Sequence, residues 1–146
     1  MIEFAELIAV LACTWFAGAA VYITAVEHPA RLSCGTEIAV TQWAPSYKRA
    51  TLMQAPLAMI AGILGIIRGT VGDDGTLWLA GGLLILAVVP FTLVVIRPTN
   101  ERLLEPQRDR RSDETLQLLM AWGRLHAVRT LVSVVASLLF VWAAVH

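Results

Sequence analysis

Leu77-Trp-Leu-Ala-Gly-Gly-Leu-Leu-Ile-Leu-Ala-Val-Val-Pro90-Phe-Thr-Leu-Val-Val-Ile96 carries no charge along its whole length. A bilayer core about 30 Å thick is crossed by about 20 apolar residues of helix, so this stretch reads as a membrane span. Residues 7–26 are uncharged, and residues 51–67 are uncharged though slightly short. Residues 130–145 are uncharged and continue a helical pattern that starts near Ser112. These stretches give spans of about 5–27, 48–68, 77–97 and 124–145 and use most of the 146 residues. The expected fold is all-α. It is an integral membrane four-helix bundle, one domain over residues 1–146, with a long C-terminal helix extending into the cytoplasm.

Composition supports that reading. The AVILMFWYC set makes up 58% and charged residues 15%, against soluble norms of roughly 45–50% and 25%. A small soluble globule cannot hide so much apolar surface. Disorder, a nucleic-acid-binding domain and a disulfide scaffold are excluded on the same grounds. Cys13 lies in an apolar run and Cys34 in a loop, with no CxxC spacing, so no structural disulfide is expected. No internal repeat is apparent. Glu3 and Glu6, without Lys or Arg, give the N-terminus the wrong sign for a signal peptide, so the first span reads as a retained helix.

Net charge is zero, but the basic residues are unevenly placed. Arg31, Lys48 and Arg49 lie between the first and second spans. Arg97, Arg102, Arg108, Arg110, Arg111 and Arg124 lie between the third and fourth. Arg68 stands alone in the second connection, a Gly/Asp turn with Asp73 and Asp74. The positive-inside rule then makes the first and third connections cytoplasmic and both termini external, in a plasma (inner) membrane. The expected partners are the bilayer and a lipophilic small molecule, without nucleic acid. A homo-oligomer is compatible with the small residues of the spans.

Polar residues at membrane depth need partners, so their positions carry information. The first span ends in Glu27-His28-Pro29-Ala-Arg31, where Pro29 is expected to push His28 out of helical geometry. Pro98 is expected to end the third span, leaving Thr99 and Asn100 beyond it. If the second helix starts near Ser46, Tyr47 and Gln54 share a face with Ala50 and Thr51. On the last helix, Trp122, His126 and Arg129 form one stripe, and Ser112 followed by Asp113 and Glu114 makes a good helix start. Topology gathers all these groups at the cytoplasmic mouth of the bundle. Gly81-Gly82 and Gly65-Ile-Ile-Arg-Gly69 read as close helix contacts.

Each residue also has a plainer reading. Trp43, Trp122 and Tyr47 could be interfacial belt residues, and Arg31 and Arg49 could only fix topology. Gln54 could only tie helices together, and His28 could be a polar interfacial residue. Arg129 is harder to dismiss, because a buried guanidinium needs an acceptor or an anionic ligand.

His28-Pro29-Ala-Arg31, Trp43 with Arg49, Pro98-Thr-Asn100-Glu-Arg-Leu103 and Trp122-Gly-Arg-Leu-His126-Ala-Val-Arg129, in that order, resemble the anthrone oxygenase-like family. Its members are small four-span membrane proteins, many described only as a domain of unknown function. The resemblance implies oxidation of an anthrone- or phenol-like aromatic with oxygen, without flavin or added metal. It also implies a site in which His126 or His28 takes a carbon-bound proton. Arg129 and Asn100 would hold the developing oxyanion. Trp43, Tyr47, Arg49, Gln54, Trp122 and Arg31 would bind the substrate. Trp15-Phe-Ala-Gly18 is also similar to the haem-carrying membrane protoporphyrinogen oxidases, although the His-Pro-Ala-Arg and P-x-N elements fit that family poorly. A haem or transition metal would use His28, His126 and Glu27. A third reading is a non-catalytic membrane subunit or binder whose polar cluster only ties helices.

Overall fold

The computed structural model describes residues 2–71 and 75–146. The Gly/Asp turn of the second connection centres on residues 72–74 and lies outside the described residues. Everything else regular is helical. Helix α1 (Ile2–Tyr22) passes through a π-helical turn (Ile23–Glu27) into α2 (His28–Ser33). Helix α3 runs from Thr36 to Val71. Helix α4 (Thr76–Phe91) passes through a second π-helical turn (Thr92–Ile96) into α5 (Arg97–Leu103). Helix α6 runs from Asp113 to Val145. The result is four rods, each long and apolar enough to cross a membrane.

Two expectations about helix ends are corrected. Neither Pro29 nor Pro98 stops its helix. His28 keeps right-handed helical angles (φ −68°, ψ −46°) and the rod continues to Ser33. The third rod likewise continues to Leu103. Proline lacks the N–H for the i→i−4 bond, and its ring clashes with that carbonyl. A π-helical turn directly upstream widens the backbone where the clash would fall. The second helix starts ten residues before Ser46, at Thr36, and carries Pro45 and Pro56 inside it. The start of α6 is as expected. Ser112 has an extended backbone (ψ 152°) and its hydroxyl accepts from the Thr115 amide at 3.2 Å.

The rods pack as a four-membered ring. α1 meets α3, α3 meets α4, α4 meets α6, and α6 returns to α1. Lipid gives apolar side chains little reason to leave it, so tight van der Waals contact must hold the ring. The glycines supply it. A Cβ at Gly82 would stand 2.8 Å from the Ile66 amide nitrogen, and one at Gly81 would stand 2.7 Å from the Phe140 ring.

The core is split in two. One cluster joins Phe16, Trp78, Ile85 and Phe140, and the other joins Val40, Trp43, Ile96, Leu119 and Trp122. The second cluster exists because α2, α5, the start of α3 and the first turns of α6 prolong all four rods. The first turns of α6 are therefore sheathed, with Thr115 and Leu119 buried. Between the two clusters lies a belt of polar side chains.

The first two rods and the last two follow one plan. Each pair opens with a helix, a five-residue π-helical turn and a proline two residues beyond it, then returns through a long helix. This repeat is not visible in residue identity.

Candidate functional site

The polar belt closes around a cavity of about 20 Å³, room for about one water. Arg31, Tyr47, Gln54, Asn100, Trp122, His126 and Arg129 line it. The stripe read on the last helix holds, since Trp122, His126 and Arg129 all face inward. So does the face of α3 that presents Tyr47, Ala50, Thr51 and Gln54. Asn100 reaches the cavity from inside α5 and not from a loop. Ile23, Ile96 and Trp122 of the second core cluster form part of its wall.

His126 is 2% exposed. Its Nδ1 lies 2.9 Å from the Thr24 hydroxyl, which lies 2.8 Å from the Thr130 hydroxyl. Its Nε2 has no protein partner among the described residues and remains for the cavity. One turn on, the Arg129 guanidinium donates from Nη2 to Gln54 Oε1 and sits 5.0 Å over the Phe16 ring. Among the described residues no carboxylate faces it. Arg31 differs, because Glu27 pairs with it at 2.6 Å. Ser46 and Gln42 also donate to that carboxylate, at 2.7 Å and 2.9 Å. One cation of the site is thus neutralised and the other is not.

Trp43, His28 and Arg49 stand outside the cavity. Trp43 stacks on Tyr47 (centroids 5.1 Å, planes 4° apart) and meets Trp122 edge-on, so it forms the wall behind the lining. His28 packs against Trp122 at 5.1 Å and over Gly123, where a Cβ would fall 2.6 Å from its Nε2. Arg49 is exposed and faces a separate groove with Tyr22 and Met53, between the first and second rods. The trio suggested for a metal does not converge. Glu27 turns to Arg31, Ser46 and Gln42, and no three His, Cys, Asp or Glu side chains gather among the described residues.

Buried polar atoms without a hydrogen-bond partner concentrate here among the described residues. They are both ring nitrogens of His28, Arg31 Nε, Trp43 Nε1, Gln54 Nε2, both amide atoms of Asn100, and Arg129 Nε. Each such group costs roughly 1–3 kcal/mol when nothing fills it. Those on Arg31, Gln54, Asn100 and Arg129 belong to residues that line the cavity, where a ligand or water can complete them.

A second cavity of about 100 Å³ adjoins the first through Thr51, Gln54, Thr92 and Arg129. Phe16, Ala58, Val88, Val89 and Leu93 give it apolar walls. Leu93 is exposed on the bundle surface, so this chamber faces outward between α3 and α4. Sequence reasoning overlooked Thr24, Thr92 and Thr130 as groups near the site. The available signal was a hydroxyl inside an apolar span, and for Thr130 its place one turn after His126.

The family profile described as Anthrone oxygenase matches residues 43–139. That range holds every cavity residue contributed by α3, α5 and α6. A protein named anthrone oxygenase from Claviceps purpurea (strain 20.1) is 24% identical, with the match covering 92% of this chain and 84% of that one. No solved structure matches this chain at a significant level.

Proposed function

The chain belongs to the anthrone oxygenase family, and on that premise we propose that it oxygenates a lipophilic, anthrone- or phenol-like aromatic in the membrane. One observation carries the reading. A buried guanidinium without a carboxylate, Arg129, stands one helical turn from an imidazole whose Nε2 is free, beside an Asn100 amide with neither atom bonded. A buried unpaired cation is costly, and an oxyanion is the ligand that would offset it.

The chemistry follows from the substrate. Loss of a proton from the acidic methylene turns the ketone into an aromatic phenolate. His126 Nε2 takes that proton. Arg129 and the Asn100 amide hold the oxygen as its charge grows. The anion passes one electron to dioxygen, the two radicals join, and a carbon–oxygen bond forms. The resulting hydroperoxide takes back the proton and loses water. The methylene becomes a carbonyl, one dioxygen is consumed and one water leaves. The substrate supplies all the electrons.

Space is consistent with this only if the ligand spans both chambers. The polar cavity holds its oxygen, the apolar chamber takes one ring, and the remaining rings reach outward between α3 and α4 toward lipid. Arg49 and His28 do not touch the substrate in this arrangement. The cluster of Lys and Arg around the first and third connections supports a cytoplasmic location for this end.

The test is dioxygen uptake by purified protein given an anthrone. A His126→Ala variant is expected to lose about 10²–10⁴-fold in rate. Equal uptake by the two proteins would overturn the proposal.

A further inference from the structure

The contacts around His126 Nδ1, to the hydroxyls of Thr24 at 2.9 Å and Thr130 at 3.4 Å, favour one arrangement of protons. Thr130 Oγ1 lies 3.0 Å from the His126 carbonyl and 3.2 Å from the Ala20 carbonyl. A carbonyl can only accept, so the single Thr130 proton goes to the nearer His126 carbonyl or is shared between the two. The 2.8 Å contact between the hydroxyls of Thr130 and Thr24 then needs a proton from Thr24. With that proton used, the 2.9 Å contact between Thr24 and His126 needs one from the ring.

Either alternative leaves a close contact without a proton. If Thr24 donated to the ring, the two hydroxyl oxygens would face each other with nothing between them. If Thr130 donated to Thr24, its own two carbonyl contacts would be oxygen against oxygen.

We infer that Thr24 and Thr130 fix His126 as the Nδ1–H tautomer, so that Nε2 presents its lone pair to the cavity. Both are positioning residues, since they act through the imidazole and touch no substrate. Thr24 is supplied by the π-helical turn Ile23–Glu27, and Thr130 by the helix turn after His126. A neutral histidine in water prefers the other tautomer, so the assignment is not the default state of the ring. The catalytic value of the pair rests on the proposed oxygenase reading, but the tautomer does not.

The test is nitrogen-15 NMR of the full chain, labelled at histidine, in lipid nanodiscs at a pH where the ring is neutral. The His126 signals are assigned by their loss in His126→Gln. The expected wild-type result is a protonated Nδ1 and a pyridine-type Nε2, read without any variant. Thr24→Val should move the ring toward Nε2–H, and Thr24→Ser should restore it. A wild-type ring already in the Nε2–H form, or a Thr24→Val ring unchanged from wild type, would overturn the inference. In turnover, Thr24→Val should lower kcat about tenfold with KM unchanged, and Thr24→Ser should recover it. A raised KM with kcat intact would instead make Thr24 a packing residue and overturn the positioning role. If the tautomer is as inferred while anthrones are not oxidised, the assignment stands and the proposed reaction falls.

Discussion

Arg129 has two neighbours that accept its charge weakly, the Gln54 carbonyl and the Phe16 ring face. Removing a buried cation that lacks a counter-ion relieves a desolvation cost. Replacing both members of the pair, as in Arg129→Met with Gln54→Leu, also leaves no orphaned acceptor. The double variant is therefore expected to melt at an equal or higher temperature than wild type. Its kcat/KM should nonetheless fall about 100-fold or more through loss of an oxyanion donor. Thermal unfolding and turnover, measured side by side, check this. A large drop in melting temperature would mark Arg129 as a structural tie and not a binding group. At this scale the sequence was informative where periodicity sufficed. The stripe of Trp122, His126 and Arg129 on one helix needed only helical spacing. The partners of His126 could not be read, because Thr24 comes from a different rod and its facing depends on a widened turn.

The widened turns are the element on which that facing depends. Sequence rules treat a proline inside an apolar run as a helix end, since it deletes a bond and clashes with a carbonyl. Here Pro29 and Pro98 each follow a π-helical turn, and the rods continue. The local rule missed this because the accommodation lies upstream of the proline, in residues of unremarkable composition. Pro29→Ala is expected to let Ile23–Glu27 relax toward α geometry. Stability should hold or rise, since proline costs about 3 kcal/mol in a helix interior. The change should also rotate Thr24 away from His126 and lower kcat about tenfold or more. Unfolding temperature and kcat together check the outcome. An unchanged kcat would show that the π-helical turn does not orient the site.

For the molecule as a whole, the site lies where the two repeated halves meet. Ile23 and Thr92 open the two π-helical turns, Arg31 and Asn100 each stand two residues after a proline, and all four line the cavity. Tyr47 and Gln54 on α3 have the spacing of Trp122 and Arg129 on α6, and these four line it too. The repeat was hidden from sequence because paired positions share geometry and not residue type. One half contributes an ion pair and the Gln54 amide, and the other contributes the Asn100 amide, the imidazole and the unpaired guanidinium. The four spans were legible, because length and absence of charge decide a membrane crossing. The extension of the rods past the site was not, since it required them to outrun their prolines. Orientation can be read through Cys34, which is exposed in the first connection, while Cys13 is buried. A membrane-impermeant maleimide should label Cys34 in inside-out vesicles and not in intact cells. The reverse pattern would place the site on the external face.

In the proposed reaction, His126 and Arg129 bring about direct reaction of a substrate anion with dioxygen. Purified protein turned over with an anthrone under ¹⁸O₂ tests it most directly. The expected result is one labelled oxygen in the new carbonyl, one in water, and a rate that collapses in His126→Ala. A product carbonyl without label, or a His126→Ala rate equal to wild type, would contradict it.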